Sequence, residues 1–195
     1  MPESRYGSGK SRYCYEGTSI LINNYDIKDD RQLQSMENIL SAQRLSELQE
    51  KPVEGEFDLR HLQRIHECLF KGLYPFAGEL RTENITKGGF SFAQAQFIRE
   101  AADPIFSELL EEDWEHMNRE KLAGRLAYYM AEINVLHPFR EGNGRSLREF
   151  ARCLALEAGF SLDWSAVPRE EVFEASVDSV PNRLESVIHR SLSRK

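Results

Sequence analysis

Apolar residues recur along this chain at helical spacing. Leu122, Leu126, Tyr129, Met130, Ile133 and Leu136 form one stripe, which predicts an amphipathic helix over residues 119–136. Leu147, Phe150, Ala151, Leu154 and Ala158 form another, predicting a helix over 145–158 with Gly159 as its C-terminal cap. Further windows are 33–48, 59–70 (Leu59, Leu62, Ile65, Leu69), 95–110 and 184–192 (Leu184, Val187, Ile188, Leu192), and all these stripes read as core. Alternation suited to a hairpin occurs at Ile85–Thr86 and Phe90–Phe92, across the turn sequence Lys87-Gly88-Gly89. The class is therefore mainly α. No internal repeat is present, and no run of about 18 apolar residues could cross a membrane as a helix.

Length and charge narrow this picture. With 195 residues and 41% apolar content, one globular domain over 13–195 is expected, after a flexible lead-in at 1–12. The net charge of −7 argues against direct nucleic-acid binding. Glu108, Glu111, Glu112, Asp113 and Glu115 supply much of it and read as a solvated helix end, with docking of a basic partner as the alternative. Cys14, Cys68 and Cys153 are widely spaced and odd in number, suggesting reduced thiols, with Cys68 and Cys153 buried on helices. The first ten residues have no apolar core of a secretory signal, so a cytoplasmic location is expected.

Between the two strongest stripes lies His137-Pro-Phe-Arg-Glu-Gly-Asn-Gly-Arg145. Pro138 drives His137 from helical dihedrals, so the first helix should end there. Gly142 and Gly144 can take positive φ and let the main chain approach a ligand, and Asn143 tolerates the same geometry. The free N–H groups at the start of the second helix favour an anion, and a diphosphate fits. Arg145 and Arg148 share a face of its first turn, where cations oppose the helix dipole unless an anion is bound. Glu141 is the carboxylate a phosphate-bound Mg²⁺ would need, and His137 is the natural general base. Phe139 reads as the anchor that packs the loop down. Each residue alone has a plainer role as cap, turn or surface charge; their conjunction does not.

The segment resembles the Fic-family motif His-x-Phe-x-Asp/Glu-Gly-Asn-Gly-Arg-x-x-Arg, matched by His137, Phe139, Glu141, Gly142, Asn143, Gly144, Arg145 and Arg148 at the correct spacing. Residues 74–98 resemble the family's Ala-Gly-x-x-Arg segment and flap hairpin, and Tyr15-Glu16-Gly17-Thr18 with Ile20–Asn23 resembles the start of bacterial cell-filamentation-type members. The resemblance covers roughly residues 13–165 and implies a Fic fold, a helical bundle around a two-helix motif core with a small β-hairpin flap. It implies transfer of AMP from ATP to a Tyr, Ser or Thr hydroxyl of a target protein, with release of pyrophosphate. His137 would take the hydroxyl proton, Glu141 would hold Mg²⁺, and Gly142, Asn143 and Gly144 would cradle the phosphates. Arg145 would clasp the distal phosphate and Arg148 would brace the phosphates from the helix. Ile85, Thr86, Lys87, Gly88, Gly89 and Phe90 would dock an extended target segment by main-chain pairing. Read alone, they form an ordinary surface hairpin with Phe90 and Phe92 turned into the core.

The same resemblance bears on rival activities and on control. Doc-type members, which phosphorylate their target, carry Lys where this chain has Gly144, so Gly144 favours AMP transfer. A kinase-like reaction and a non-catalytic docking module are the alternatives. Many relatives carry an inhibitory Ser/Thr-x-x-x-Glu-Gly/Asn helix whose Glu pairs with the motif's second arginine, here Arg148. Ser46 with Glu50, Ser107 with Glu111, and Glu16-Gly17 each match only in part, and residues 181–195 contain no match. A small separate antitoxin supplying that Glu is therefore the expected partner, within a bacterial cytoplasm. Delivery into a host cell is also compatible.

Overall fold

A computed structural model describes residues 11–177 and 181–195. Side-chain caps set several helix starts. Asp29 accepts the Gln32 N–H and opens α1 (Asp30–Glu50). Asp58 caps α2 (Leu59–Phe70) through the His61 N–H, and Asn118 caps α4 (Arg119–Leu136) through the Lys121 N–H. Between them lies α3 (Ile98–Leu110), entered from a single 3₁₀ turn at Ala95–Phe97. The next helix, α5 (Asn143–Glu157), has Gly142 at its N-cap and no side-chain cap.

The expected helices over 119–136, 145–158, 33–48, 59–70 and 95–110 are thus α4, α5, α1, α2 and the 3₁₀ turn with α3. Gly159 follows α5 with φ +77°, in the left-handed region that ends a helix. The window at 184–192 is α7 (Pro181–Ser191), but Leu192 begins a strand. Two elements lay outside the expectations. One is α6 (Arg169–Val177), and the other is a C-terminal pairing in which Phe160–Leu162 runs antiparallel to Leu192–Arg194. The latter carries Leu162 and Leu192 as a directly opposed, buried pair, so its stabilisation comes from a partner distant in sequence.

The flap hairpin pairs β1 (Thr86–Lys87) with β2 (Phe90–Ser91), and the C-terminal strands are β3 (Phe160–Leu162) and β4 (Leu192–Arg194). The flap turn is Gly88-Gly89, both at positive φ, while Lys87 belongs to the strand rather than the turn. The core gathers around α4, whose Leu122, Leu126, Tyr129, Ile133 and Leu136 are buried against α3, α5 and α7. Phe70, Phe139 and Phe150 continue it across α2 and α5.

Of the expected lead-in, residues 1–10 lie outside the described residues; Ser11 Oγ and the Arg12 N–H both donate to the Glu83 carboxylate, each at 2.7 Å. Cys153 is buried, but Cys68 is exposed rather than buried, because it lies on the outer face of α2. The acidic run is partly neutralised from within: Glu108 and Glu112 both pair with Arg125, and Glu112 also accepts the Tyr129 hydroxyl. Among the described residues no helix is long and apolar enough to cross a membrane.

Candidate active site

The site forms where α4 ends and α5 begins. His137 caps α4 in the left-handed conformation, φ 45° and ψ 61°, which is unusual for a residue with a Cβ. Arg81 holds it there. Its buried guanidinium donates through Nε to the His137 carbonyl at 2.8 Å and through Nη2 to the Leu136 and Ala93 carbonyls, while Nη1 donates to Glu83 O at 2.7 Å. The Arg81 N–H donates to Pro138 O. One side chain therefore fixes the end of α4 and both stems of the flap. Burial lowers the Arg81 pKa to about 10, leaving it charged at neutral pH.

The His137 ring is 7% exposed and stacks on the Phe92 ring, with centroids 3.9 Å apart. Its Nδ1 faces the Asn134 carbonyl at 3.4 Å. A carbonyl only accepts, so this contact is a hydrogen bond in the tautomer with its proton on Nδ1 and its lone pair on Nε2. Burial, with Lys87 and Arg81 adding positive charge nearby, lowers the pKa to about 4. A neutral imidazole with its lone pair on Nε2 is the form a general base requires.

The loop beyond His137 is pinned from three sides. The Asn143 side chain accepts the Phe139 N–H at 2.9 Å and donates to Phe139 O at 2.8 Å, so its amide is spent on the loop. His66 stacks on Phe139 at 3.9 Å, donates through Nε2 to Glu141 O at 2.9 Å, and accepts the Gly78 N–H on Nδ1 at 2.8 Å. Phe139 itself is fully buried, as its anchoring role required. Gly142 takes φ +79°, and a Cβ there would lie 2.3 Å from the Phe70 ring. Gly144 differs from the expectation of positive φ: it is helical and exposed, because α5 already begins at Asn143.

With no side chain at its N-cap, α5 leaves the N–H groups of its first turn to an outside acceptor. The Glu141 carboxylate lies at this end, accepting the Gly142 N–H at 3.0 Å and standing 4.0 Å from Arg145 Nη2. Among the described residues no group of three His, Cys, Asp or Glu side chains is placed to hold a metal ion. The Glu141 carboxylate beside an uncapped helix start suits Mg²⁺, which takes one or two carboxylates and completes its shell with phosphate oxygens and water.

The two arginines are in different circumstances. Arg145 is ion-paired to Glu37 of α1 and donates to Ser41 Oγ at 3.1 Å. Arg148 has no ion pair or hydrogen bond to its guanidinium among the described residues, and its Nη1 lies beside Gly144. Burial, then the charges of Arg145 and Arg169, lower its pKa to about 10. An arginine kept among like charges is primed for an anion. Trp164 donates to the Arg148 carbonyl at 3.2 Å and so fixes the segment leading to Arg169 against α5.

The flap lies over the same place. Ile85 is buried, Phe90 is half exposed rather than packed in the core, and Phe92 covers His137. Lys87 lies 6.0 Å from the Phe173 ring of α6. The sequence assigned no role to His66, Glu37 or Phe173, placed Arg81 only within a longer segment, and offered Phe92, with Phe90, as a hairpin residue turned into the core. A carboxylate within the apolar stripe of α1 was the one available signal for Glu37.

Known proteins resemble this chain in sequence and fold. The Fic/DOC family model matches residues 56–155. The chain is 36% identical over 193 residues to "Protein adenylyltransferase VbhT" of Bartonella schoenbuchensis, a match covering 97% of this chain and 40% of that protein. It is 33% identical over 168 residues to "Probable protein adenylyltransferase Fic" of Escherichia coli, covering 85% of this chain and 82% of that one. Among solved structures, the N-terminal Fic domain of a VirB-translocated Bep effector protein from Bartonella quintana, with bound ADP, has a TM-score of 0.87 at 25% identity. That match covers 94% of this chain and 95% of the other.

Proposed function

The chain belongs to the Fic/DOC family, and on that footing we propose that it is a protein adenylyltransferase, moving AMP from ATP to a hydroxyl of a target protein. The observation that carries this reading is the open, uncapped start of α5 set next to a buried neutral His137. His137 Nε2 accepts the proton of the target's Tyr, Ser or Thr hydroxyl. The oxygen forms a bond to the α-phosphorus, the bond from that phosphorus to the bridging oxygen breaks, and pyrophosphate leaves with the electron pair. Main-chain N–H groups at Asn143, Gly144 and Arg145 orient the phosphates, with Gly142 allowing the close approach.

Arg145 and Arg148 neutralise charge that builds on the leaving group, a contribution that positioned cations supply throughout phosphoryl chemistry. Glu141 would hold Mg²⁺, and the ion would supply further charge neutralisation when bound. The hairpin from Ile85 to Phe90 presents the target segment through its backbone edge, so that a hydroxyl reaches His137 after Phe92 moves off the ring. Gly144 supports AMP transfer over phosphorylation, since no side chain extends from it toward the phosphates. Arg148, lacking a carboxylate partner among the described residues, supports inhibition by a Glu from a separate small protein.

The test is incubation of a lysate with ATP labelled at the α-phosphate, and separately at the γ-phosphate, in the presence of Mg²⁺. Label from the α-position, lost in His137→Ala, is expected; transfer of the γ-label alone would convert the reading to a kinase. Absence of transfer from both, unchanged by the variant, would remove the enzymatic reading.

A further inference from the structure

Leu33, Glu37, Ser41 and Leu48 are the buried residues of α1, so Glu37 and Ser41, about one turn apart, face inward together. Glu37 is 3% exposed. A carboxylate at this depth is costly unless fully paired, and here both oxygens are engaged: Arg145 Nη2 donates to one and the Tyr74 hydroxyl to the other. Tyr74 stays protonated, its pKa raised by burial and by the Glu37 charge. Ser41 Oγ accepts from Arg145 Nη1, and the Phe70 ring lies 5.0 Å from the guanidinium carbon. None of the α1 residues falls within the loop motif or within residues 56–155.

We propose that Glu37 is a positioning residue for AMP transfer, holding Arg145 so that its remaining N–H groups face the phosphates at the start of α5. The proposal rests on the reading of this site as the ATP site. A guanidinium has five N–H donors; two are spent on Glu37 and Ser41, which leaves three for the nucleotide. Fixing one edge in advance removes rotamer freedom that the arginine would otherwise lose on binding. Glu37 also balances the charge of Arg145, so that the charge without a carboxylate partner stands at Arg148. An inhibitory carboxylate of the family type would pair with Arg148, whereas Glu37 pairs with Arg145.

The full chain is compared as wild type, Glu37→Ala and Glu37→Gln for calorimetric binding of ATP and of AMP with Mg²⁺, for transfer kinetics and for thermal melting. Glu37→Ala is expected to weaken ATP binding and kcat/KM for ATP by about tenfold or more, while AMP, which lacks the distal phosphates, changes by less than about twofold. Glu37→Gln keeps an acceptor for Arg145 and is expected to recover part of the loss. Unchanged ATP binding in Glu37→Ala overturns the proposal, and so does an equal loss of ATP and AMP, which marks a purely structural role. Faster transfer by Glu37→Ala overturns it as well, since Glu37 would then compete with phosphate. If Glu37→Ala does not fold, Tyr74→Phe frees one side of the carboxylate and should raise the KM for ATP several-fold with AMP binding retained; no change overturns the proposal. A wild-type protein that binds ATP but transfers nothing would defeat the functional reading, while the ATP and AMP arms would still decide the role of Glu37.

Discussion

Burial and the Phe92 ring keep the His137 imidazole neutral far below its ordinary range, and this governs how the site should respond to pH. With its pKa lowered to about 4, the imidazole remains deprotonated across the neutral range, and its proposed role as base places the acid limb of kcat/KM well below pH 6.5. Phe92→Ala re-solvates the ring and should move that limb upward, toward 6.5. A pH–rate profile measured for both proteins decides this, and an unshifted limb would refute the role of Phe92. The two glycines of the loop make a second contrast. Gly142→Ala combines φ +79° with a Cβ driven into the Phe70 ring and should cost about 2–4 kcal/mol in denaturant unfolding. Gly144→Ala meets only Arg148 Nη1 at 3.3 Å, the end of a flexible side chain, and should stay within about 1 kcal/mol of wild type. The sequence named both glycines but could not rank them, because the Phe70 ring comes from α2, more than seventy residues away.

At the scale of elements, α4 and α2 were legible to their end residues, since capping side chains and apolar stripes are local features. Other elements were not: β3 and β4 gain their pairing only from each other, and α6, whose apolar positions are few, is held in part by Asn134 of α4 donating to Ser176 O. The flap depends on another distant contact. Arg81 serves four carbonyls, from Leu136, His137, Glu83 and Ala93, and thereby couples the flap stems to the end of α4. Arg81→Met would bury those carbonyls without donors, at about 1–3 kcal/mol each before relaxation. Expected are a loss of several kcal/mol in total and faster amide exchange over residues 83–93 and 136–138. Protection retained in both segments would show that Arg81 does not couple them.

For the whole molecule, the buried histidines tie stability to pH. His66 and His137 both have pKa values lowered to about 4, chiefly by burial, and burial lowers that of His61 as well. The unfolded chain protonates each near 6.5 while the folded chain does not, so the unfolded state binds more protons between those values. Stability therefore rises with pH through the window from about 4 to about 6.5, and is fully present above it. Each shift corresponds to an order of magnitude of about 3 kcal/mol. At His66 the geometry acts in the same direction as burial: a proton added at Nδ1 would meet the Gly78 N–H, which now donates to that nitrogen. Acid should thus loosen the contact between Gly78 and the Glu141 loop, where His66 bridges α2 to the candidate site. His66→Gln, which cannot titrate, is expected to be less stable at pH 7 yet to lose less stability between pH 6.5 and 4.5, as measured by denaturant midpoints at each pH. An equal slope in wild type and His66→Gln would exclude His66 as a source of the acid sensitivity.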